Sequence, residues 1–329
     1  MRVIKLEKLI EIKNLSVTFH DLAGTLHAIT DLSYHINKGE ILGVIGESGS
    51  GKSVTSKAIM GFLNPSCVTG EILYKGKDLT KMKEKEICKL RGSKISLVFQ
   101  EPMTALNPVM TIGKQLEEIL VIHKIGNKAD NHKKIIDTLH LMNIADPEAM
   151  MLKYPFELSG GLRQRIMIAM AVLCEPDLII ADEPTTALDV TTQMEILKLL
   201  KKVTSVMGCS VLLITHDLGV IAECADRVVV MYRGRKMEEC SMKDVFENAV
   251  HPYTLGLIKS RPSNFNGRYY TIEGSVESNY GEAKGCLFQK RCDFCTEICK
   301  TKIPEEKIIS EDHVVSCWRC ESSEGDMAE

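Results

Sequence analysis

Two patterns of hydrophobic residues recur along the chain. Apolar and polar residues alternate at 10–19, which predicts a half-exposed strand, and shorter strand-like segments follow at 34–36 and 71–74. Near-continuous apolar segments, which are typical of buried parallel strands, lie at 41–45, 95–99, 178–181 and 211–214. Several of these segments precede a helical pattern. The sequence therefore predicts an α/β core accompanied by an antiparallel β lobe.

Strand patterns are absent between Gln100 and Arg165, where the apolar residues of 111–123 and 131–142 have helical spacing. We expect an inserted helical lobe over about 101–170. A strand pattern returns at 227–232, and a short helical pattern follows at 241–247. The segment 261–267 contains Pro and Gly and predicts a linker. We therefore expect a large domain over 1–260 and a small C-terminal domain over 261–329.

The charge of the chain is nearly balanced, with 41 Lys and Arg against 44 Asp and Glu, for a net charge of −3. This balance gives no electrostatic argument for binding nucleic acid, so we expect no such partner. No segment has ~18 uninterrupted apolar residues, and the N-terminus lacks the apolar core of a signal peptide. We expect the chain to stay in the cytosol and to reach a membrane only by docking to other subunits.

Residues 46–53, Gly-Glu-Ser-Gly-Ser-Gly-Lys-Ser, match the phosphate-binding pattern G-x-x-x-x-G-K-[ST] and are called the P-loop below. The P-loop follows a predicted buried strand and precedes a helical pattern, as this motif requires. Backbone amides of 49–52 should bind phosphates, Lys52 should reach the β and γ oxygens, and Ser53 should bind Mg²⁺. The nucleotide-binding residues expected here are Gly46, Ser48, Gly49, Ser50, Gly51, Lys52, Ser53 and Val54.

Two adjacent carboxylates, Asp182 and Glu183, end the apolar segment that begins at Leu178. Ligands of α/β sheets bind at such strand ends. We expect Asp182 to hold Mg²⁺ through water. Glu183 should then accept a proton from the water that attacks the nucleotide.

A second phosphate site is predicted at 158–165, Leu-Ser-Gly-Gly-Leu-Arg-Gln-Arg. Ser159 offers a hydroxyl, and Gly160 and Gly161 allow the backbone to come close to a bulky anion. The apolar segment that follows can form a helix whose N-terminal amides favour phosphate.

The order of these motifs, together with Gln100, Ala187-Leu188-Asp189 and His216, resembles the ATPase subunit of ABC transporters over roughly the first 250 residues. The resemblance implies an ABC-type P-loop domain with a RecA-like core, and a head-to-tail dimer with a second ATPase subunit. In that dimer Ser159, Gly160 and Gly161 would contact the ATP held by the partner. His216 would contact the γ-phosphate and help position Glu183, and Gln100 would sense Mg²⁺ and water. We assign Phe19 to stacking on adenine.

Two further segments narrow the resemblance. Residues 100–108 and 251–254 are similar to the dipeptide, oligopeptide and nickel importer branch, although Leu162 replaces the Gln common at that signature position. This similarity implies a non-identical second ATPase, two transmembrane permease subunits and an extracytoplasmic substrate-binding protein. ATP-driven peptide uptake at the cytoplasmic face of the cell membrane is the implied function. Nickel or metallophore uptake and a soluble ABC ATPase outside transport are the alternatives.

Half of the twelve cysteines lie between Cys286 and Cys320. Cys286, Cys292, Cys299 and Cys317, called the cysteine tetrad below, match the cysteines of the C-terminal domain of peptide-importer ATPases. In some members such a tetrad holds a [4Fe–4S] cluster, which four thiolates suit chemically. Two C-x₂-C pairs, 292–295 and 317–320, fit zinc instead, and Asp293 replaces the Pro usual in the family. A metal-free or disulfide-bonded region is the third alternative.

Overall fold

The computed structural model describes residues 7–22, 24–101, 105–186, 188–261, 270–277, 279–281 and 283–320. The chain divides into two compact units. Unit 1 comprises Met1–Leu9, Ile36–Ile41 and Lys81–Ile214, and unit 2 comprises Ile10–His35, Leu42–Thr80 and Thr215–Glu329. Each unit is described by itself.

The described strands, in chain order, are β1 (Lys8–Asp21), β2 (Gly24–Asn37), β3 (Ile41–Ile45), β4 (Val68–Tyr74), β5 (Lys77–Asp78), β6 (Ile95–Val98), β7 (Leu178–Asp182), β8 (Ser210–Thr215), β9 (Arg227–Tyr232), β10 (Arg235–Ser241), β11 (Lys307–Ser310) and β12 (His313–Val315). The described α-helices are α1 (Lys52–Ile59), α2 (Glu84–Leu90), α3 (Ile112–Ile122), α4 (Lys128–Leu141), α5 (Pro147–Leu152), α6 (Gly160–Val172), α7 (Val190–Met207), α8 (Leu218–Cys224), α9 (Met242–Glu247), α10 (Pro252–Lys259) and α11 (Glu297–Thr301). Within this described part of the chain, no helix combines the length and apolarity needed to span a bilayer.

Unit 1 contains three parallel strands in the order β6-β7-β8. Ile95 lies opposite Leu178, and Leu178 lies opposite Ser210. Every residue of β8 is buried, which explains the unbroken apolar pattern of this segment. The helices α3 to α6 follow one another between β6 and β7, where the sequence predicts the helical lobe.

Unit 2 contains most of an antiparallel sheet with the order β2-β1-β4-β5, in which Ile10 lies opposite Tyr74. A second set of strands has the order β3-β9-β10-β12-β11. Here β3 pairs in parallel with β9, and the remaining pairings are antiparallel. The predicted α/β core and antiparallel lobe are both present.

The residues after the predicted linker are integrated into unit 2. Cys286, Leu287 and Phe288 belong to the same buried cluster as Ile45, from β3, and Val230, from β9. In addition, β12 pairs with β10, so that Glu238 lies opposite Val315. A separate Cys-rich domain therefore has no support in the packing, because these apolar residues complete a core that also contains β3. Residues 262–267 of the predicted linker lie outside the described residues.

Candidate functional site

The P-loop connects β3 to α1 in unit 2, and its glycines are required by its shape. A Cβ atom at Gly46 would lie 2.1 Å from the carbonyl oxygen of Met231. Gly51 has a φ of 96°, and a Cβ atom there would lie 2.7 Å from the carbonyl oxygen of Ala28. Any other residue at these two positions would shift the backbone. The loop therefore lies closely against its neighbours, as the motif predicts.

Lys52 is folded into the P-loop. Its Nζ donates hydrogen bonds to the carbonyl oxygens of Gly46 at 2.7 Å and Glu47 at 3.0 Å, and to Ser50 Oγ at 3.3 Å. Only 6% of the residue is exposed. A buried ammonium group needs such acceptors, and phosphate oxygens must replace some of them when an anion binds. Ser53 and Val54 follow in the first turn of α1 and are half-buried, whereas Ser48 is exposed.

The predicted carboxylates lie at the end of β7 in unit 1. Asp182 is the last residue of the strand, and Glu183 has a φ of 47°. The left-handed conformation is strained for a residue other than glycine. It is held by a hydrogen bond from the Glu183 N–H to the carbonyl oxygen of Ile214, at 2.8 Å.

Two side chains donate to the same oxygen of Glu183. Gln100 Nε2 lies 2.9 Å from Glu183 Oε2, and Thr186 Oγ1 lies 2.9 Å from that atom. The structure therefore brings the predicted residues Gln100 and Glu183 into direct contact. Thr186 was not predicted from the sequence. The sequence signal that could have found it is its position three residues after a strand-end carboxylate. The two residues form a turn in which the Thr186 N–H donates to the Glu183 carbonyl oxygen at 3.2 Å.

The signature segment forms the start of α6 in unit 1. Ser159 caps this 13-residue helix, and its hydroxyl accepts a hydrogen bond from the Leu162 N–H at 3.4 Å. Ser159 and Gly160 are exposed, whereas Gly161 is half-buried. The serine and the first glycine therefore remain accessible at a helix N-terminus, where backbone amides favour an anion.

His216 follows β8 directly and is exposed. Its neighbour Asp217 caps α8 and accepts a hydrogen bond from the Gly219 N–H at 2.7 Å, which fixes the chain after the histidine. Asp189 caps α7 in a similar way, while Ala187 lies outside the described residues. Phe19 lies in β1 of unit 2 and is half-buried. The P-loop, Phe19 and His216 belong to unit 2, and Gln100, Ser159, Asp182 and Glu183 belong to unit 1.

The cysteine tetrad lines one cavity of about 290 Å³ in unit 2, together with apolar side chains such as Phe288, Phe294 and Trp318. The N–H of Cys286 donates to the carbonyl oxygen of Cys299 at 2.8 Å. Burial raises the pKa of Cys286 to about 12 and that of Cys317 to about 11, so both are neutral thiols at pH 7. No disulfide joins the tetrad cysteines.

The described side chains do not form an assembled metal site. Across the described ranges, no three His, Cys, Asp or Glu side chains are arranged so that they could hold a metal ion. The four cysteines line one cavity, but a shared cavity is weaker evidence for a metal site than side chains that converge on one ion. The zinc alternative gains no support either, since neither Cys295 nor Cys320 is among the described residues that line the cavity.

Two segments of the chain match known protein families. Residues 29–186 match the family described as "ABC transporter", and residues 237–299 match the family described as "Oligopeptide/dipeptide transporter, C-terminal region". The first segment contains the P-loop, Gln100, the signature and both carboxylates. The second contains three of the four tetrad cysteines.

Similar proteins match over nearly the whole chain. The dipeptide transport ATP-binding protein DppD of Bacillus subtilis is 46% identical over 318 residues, which cover 95% of each chain. The oligopeptide transport ATP-binding protein OppD of Salmonella typhimurium is 44% identical and matches 94% of this chain and 93% of its own length. The names of these relatives favour neither nickel uptake nor a role outside transport.

Solved structures share the fold. The ATP-binding cassette MJ0796, in a dimeric post-hydrolysis state bound to ADP and Pi, superimposes with a TM-score of 0.64 at 29% identity. The match covers 71% of this chain and 98% of that one. A structure of cbiO1 from Clostridium perfringens, part of the cbiONQ transporter complex, also has a TM-score of 0.64 and covers 74% of this chain. The predicted ABC-type P-loop fold is confirmed.

Proposed function

Since this chain belongs to the ATP-binding subunits of the ABC transporter family, we propose that it binds and hydrolyses ATP to power the uptake of dipeptides or oligopeptides across the cell membrane. The observation that carries the proposal is the Glu183 carboxylate, which is held by Gln100 and Thr186 at the end of β7. A carboxylate held in this way is suited to act as a general base. The near full-length similarity to peptide-transport ATP-binding proteins supports the substrate class.

Hydrolysis requires that a water molecule be activated next to the γ-phosphate. We assign proton acceptance to the Glu183 carboxylate, which Gln100 and Thr186 orient through Oε2. Lys52 binds the β and γ oxygens in exchange for its acceptors within the P-loop, and the amides of 49–52 bind the remaining oxygens. His216 contacts the γ-phosphate and helps to position Glu183, and Phe19 stacks on adenine.

Mg²⁺ is expected for an ABC ATPase. The Ser53 hydroxyl, the Asp182 carboxylate and the Gln100 amide are all oxygen donors, the type that this hard cation prefers. We assign Mg²⁺ to these three residues, with Asp182 acting through water. When bound, the cation neutralises charge on the transferred phosphoryl group.

An ATPase of this family works as a dimer with permease partners. The exposure of Ser159 and Gly160 at the start of α6 supports their use by the ATP of a partner subunit. We further assign the second ATPase to a non-identical chain, and the remaining partners to two transmembrane subunits and an extracytoplasmic substrate-binding protein. The chain then lies at the cytoplasmic face of the membrane.

We also propose that the cysteine tetrad holds a [4Fe–4S] cluster after deprotonation of its thiols, with zinc as the alternative metal. Two observations support this assignment: the four cysteines line one cavity, and no disulfide joins them. Cys286 belongs to a buried apolar cluster of unit 2, and Cys292 and Cys299 pack against it, which favours a structural role for the bound group. No step of ATP hydrolysis passes through it.

The variant Glu183→Gln tests the proposed function. It keeps the hydrogen-bonding shape of the side chain but removes the base, so ATP should still bind while hydrolysis falls by about two orders of magnitude or more. Peptide uptake by the assembled importer should fall in parallel. Steady-state ATPase assays, nucleotide binding and uptake of a labelled dipeptide into vesicles measure the three quantities.

Glu175→Gln is the matched control for that experiment. Glu175 is an exposed carboxylate that pairs with Lys134 on the surface of unit 1. Its removal should leave hydrolysis and uptake unchanged. Near-normal hydrolysis by Glu183→Gln would remove Glu183 as the base, and an active ATPase that moves no peptide would contradict the proposed substrate.

A further inference from the structure

The second residue of the P-loop is a glutamate. Glu47 lies in a loop whose expected ligand is a polyphosphate, and its carboxylate is charged like that ligand. A like charge near an anion site weakens binding unless a cation compensates it. The contacts of Glu47 within unit 2 show how this is resolved.

Arg291 pairs with the Glu47 carboxylate through two parallel hydrogen bonds. Arg291 Nη1 lies 2.6 Å from Glu47 Oε2, and Arg291 Nη2 lies 3.0 Å from Glu47 Oε1. The arginine side chain is 6% exposed, and the glutamate side chain is 31% exposed. Bidentate pairs of this kind are strong and fix the relative orientation of both groups.

The position of Arg291 is itself strongly constrained. Its Nε donates to the carbonyl oxygen of Glu273 at 2.8 Å, and Nη2 donates to that of Ile272 at 3.2 Å. Its Cζ lies 5.7 Å from the centre of the ring of Tyr232, which is the last residue of β9. Because β9 pairs with β3, which leads into the P-loop, the guanidinium group is anchored to the base of the loop.

A second contact holds the Glu47 backbone. The Glu47 N–H donates to the hydroxyl oxygen of Tyr253 at 2.9 Å, while its carbonyl oxygen accepts from Lys52 Nζ and the Ser50 N–H. Burial, and then the nearby Glu47 carboxylate, raise the pKa of Tyr253. The carboxylate and amide of Glu47 are thus held by residues that follow β9, and its carbonyl oxygen is held within the loop.

We propose that Arg291 is a positioning residue for the P-loop, which neutralises the Glu47 carboxylate and fixes the first turn of the loop for ATP. Tyr253 supports the same turn through the backbone. The C-terminal part of the chain therefore contributes to nucleotide affinity. This inference rests on the proposed ATP-binding function and adds a residue that lies far from the nucleotide motifs in sequence.

A purely structural role for Arg291 makes a different prediction. If Arg291 only ordered the backbone at 272–273, its loss would act independently of Glu47. If Arg291 compensates the charge of Glu47, removal of the Glu47 carboxylate should restore the nucleotide affinity that is lost with the arginine. A double-mutant cycle separates the two roles, because only the second produces suppression.

The experiment measures the Kd of a fluorescent ATP analogue for the purified full chain. Arg291→Gln should weaken binding about tenfold, the effect of losing one charge-assisted interaction. Glu47→Gln and the double variant Glu47→Gln/Arg291→Gln should both bind within about threefold of the unmodified chain. Arg291→Lys should bind between Arg291→Gln and the unmodified chain, since lysine keeps the charge but not the bidentate geometry.

Lys290→Gln is the matched control, because Lys290 is the neighbouring cation and its pair with Glu277 is exposed. It should leave the Kd unchanged. An unchanged Kd for Arg291→Gln, or a double variant as weak as Arg291→Gln, would overturn the proposal. If Arg291→Gln does not fold, the double variant compared with Glu47→Gln decides: equal affinities support compensation, and weaker binding or misfolding refutes it. An unmodified chain that binds no nucleotide would contradict the proposed function instead.

Discussion

His251 is a buried histidine that caps α10 in its neutral form. It is 1% exposed, and its Nδ1 accepts the N–H of Tyr253 at 3.0 Å. Burial lowers its pKa from 6.5 to about 4; the Glu238 carboxylate opposes this shift, and Arg319 adds to it. Protonation would remove the acceptor on which the helix cap depends. The stability of the C-terminal part of unit 2 therefore depends on pH through this residue.

We predict that the free energy of unfolding falls as the pH is lowered from about 7 to about 4. In this window the unfolded chain binds a proton at His251 and the folded chain does not. The free energy of unfolding therefore rises with pH. The full effect of this one group is about 3 kcal/mol. Chemical denaturation at several pH values measures it.

His251→Asn supplies the reference for that measurement. Asparagine can accept the Tyr253 N–H but does not titrate, so the variant should lose this contribution and keep the slope of all other groups. Equal pH dependence in the two chains would show that His251 does not remain neutral on folding.

At the scale of elements, the packing of α6 against α7 depends on a glycine. A Cβ atom at Gly161 would lie 2.7 Å from Cγ2 of Thr192. Thr192 cannot easily turn away, because its N–H and hydroxyl donate to the two oxygens of Asp189 at 3.0 and 2.7 Å. At the adjacent Gly160, the nearest atom would be Leu188 Cδ2, at an ordinary contact distance of 3.5 Å.

We predict that Gly161→Ala lowers the free energy of unfolding by about 1–3 kcal/mol, the usual cost of overpacking. Gly160→Ala should be neutral or slightly stabilising, since alanine favours the helix and meets no close atom. Denaturant unfolding of the two variants measures the difference. Equal stabilities would mean that α6 and α7 adjust freely, and that the second signature glycine is needed only for its ligand.

Two neighbouring strands show which elements the sequence could predict and which it could not. The strand β9 was predicted at its observed bounds, because all six of its residues are buried and most are apolar. Its neighbour β10 was missed. It contains Lys236, Glu238 and Glu239, which are typical of a surface, yet all three are buried. Glu239 pairs with Lys236 and Arg227, and Glu238 contacts His313. The partner of Glu238 lies 75 residues away, and which charged side chains pair inside the protein is decided by folding rather than by local pattern.

At the scale of the whole molecule, the C-terminal cysteines and the P-loop belong to one compact unit. Phe288, which lines the cysteine cavity, packs edge-on against Tyr232 at 5.3 Å, and Arg291 contacts both Tyr232 and Glu47. A group bound by the cysteine tetrad would therefore stabilise the same packed region that holds the nucleotide loop.

We predict that anaerobically purified protein contains about four iron and four sulfide per chain, with the visible absorption of a thiolate-bound cluster. Cys299→Ser should lose both, because the tetrad would then lack one ligand. Cys88→Ser, at an exposed cysteine outside the cavity, is the control and should retain them. Stoichiometric zinc, or protein without metal in the unmodified chain, would contradict the iron–sulfur assignment.

The sequence by itself determined the elements that depend on local pattern and the motifs that depend on spacing. The near-continuous apolar strands, the P-loop with its flanking strand and helix, the strand-end carboxylates and the signature were recognised, because these features place their residues next to one another in the chain. They were sufficient to identify the fold and the ATPase family.

Only the tertiary structure decided which distant side chains meet. Gln100 and Glu183 are 83 residues apart and share a hydrogen bond, and Glu47 and Arg291 are 244 residues apart and form a bidentate pair. The arginine precedes a predicted metal ligand, so nothing in its neighbourhood relates it to a phosphate loop. A charged side chain can be stable when buried if a partner compensates it, and that partner is supplied by folding.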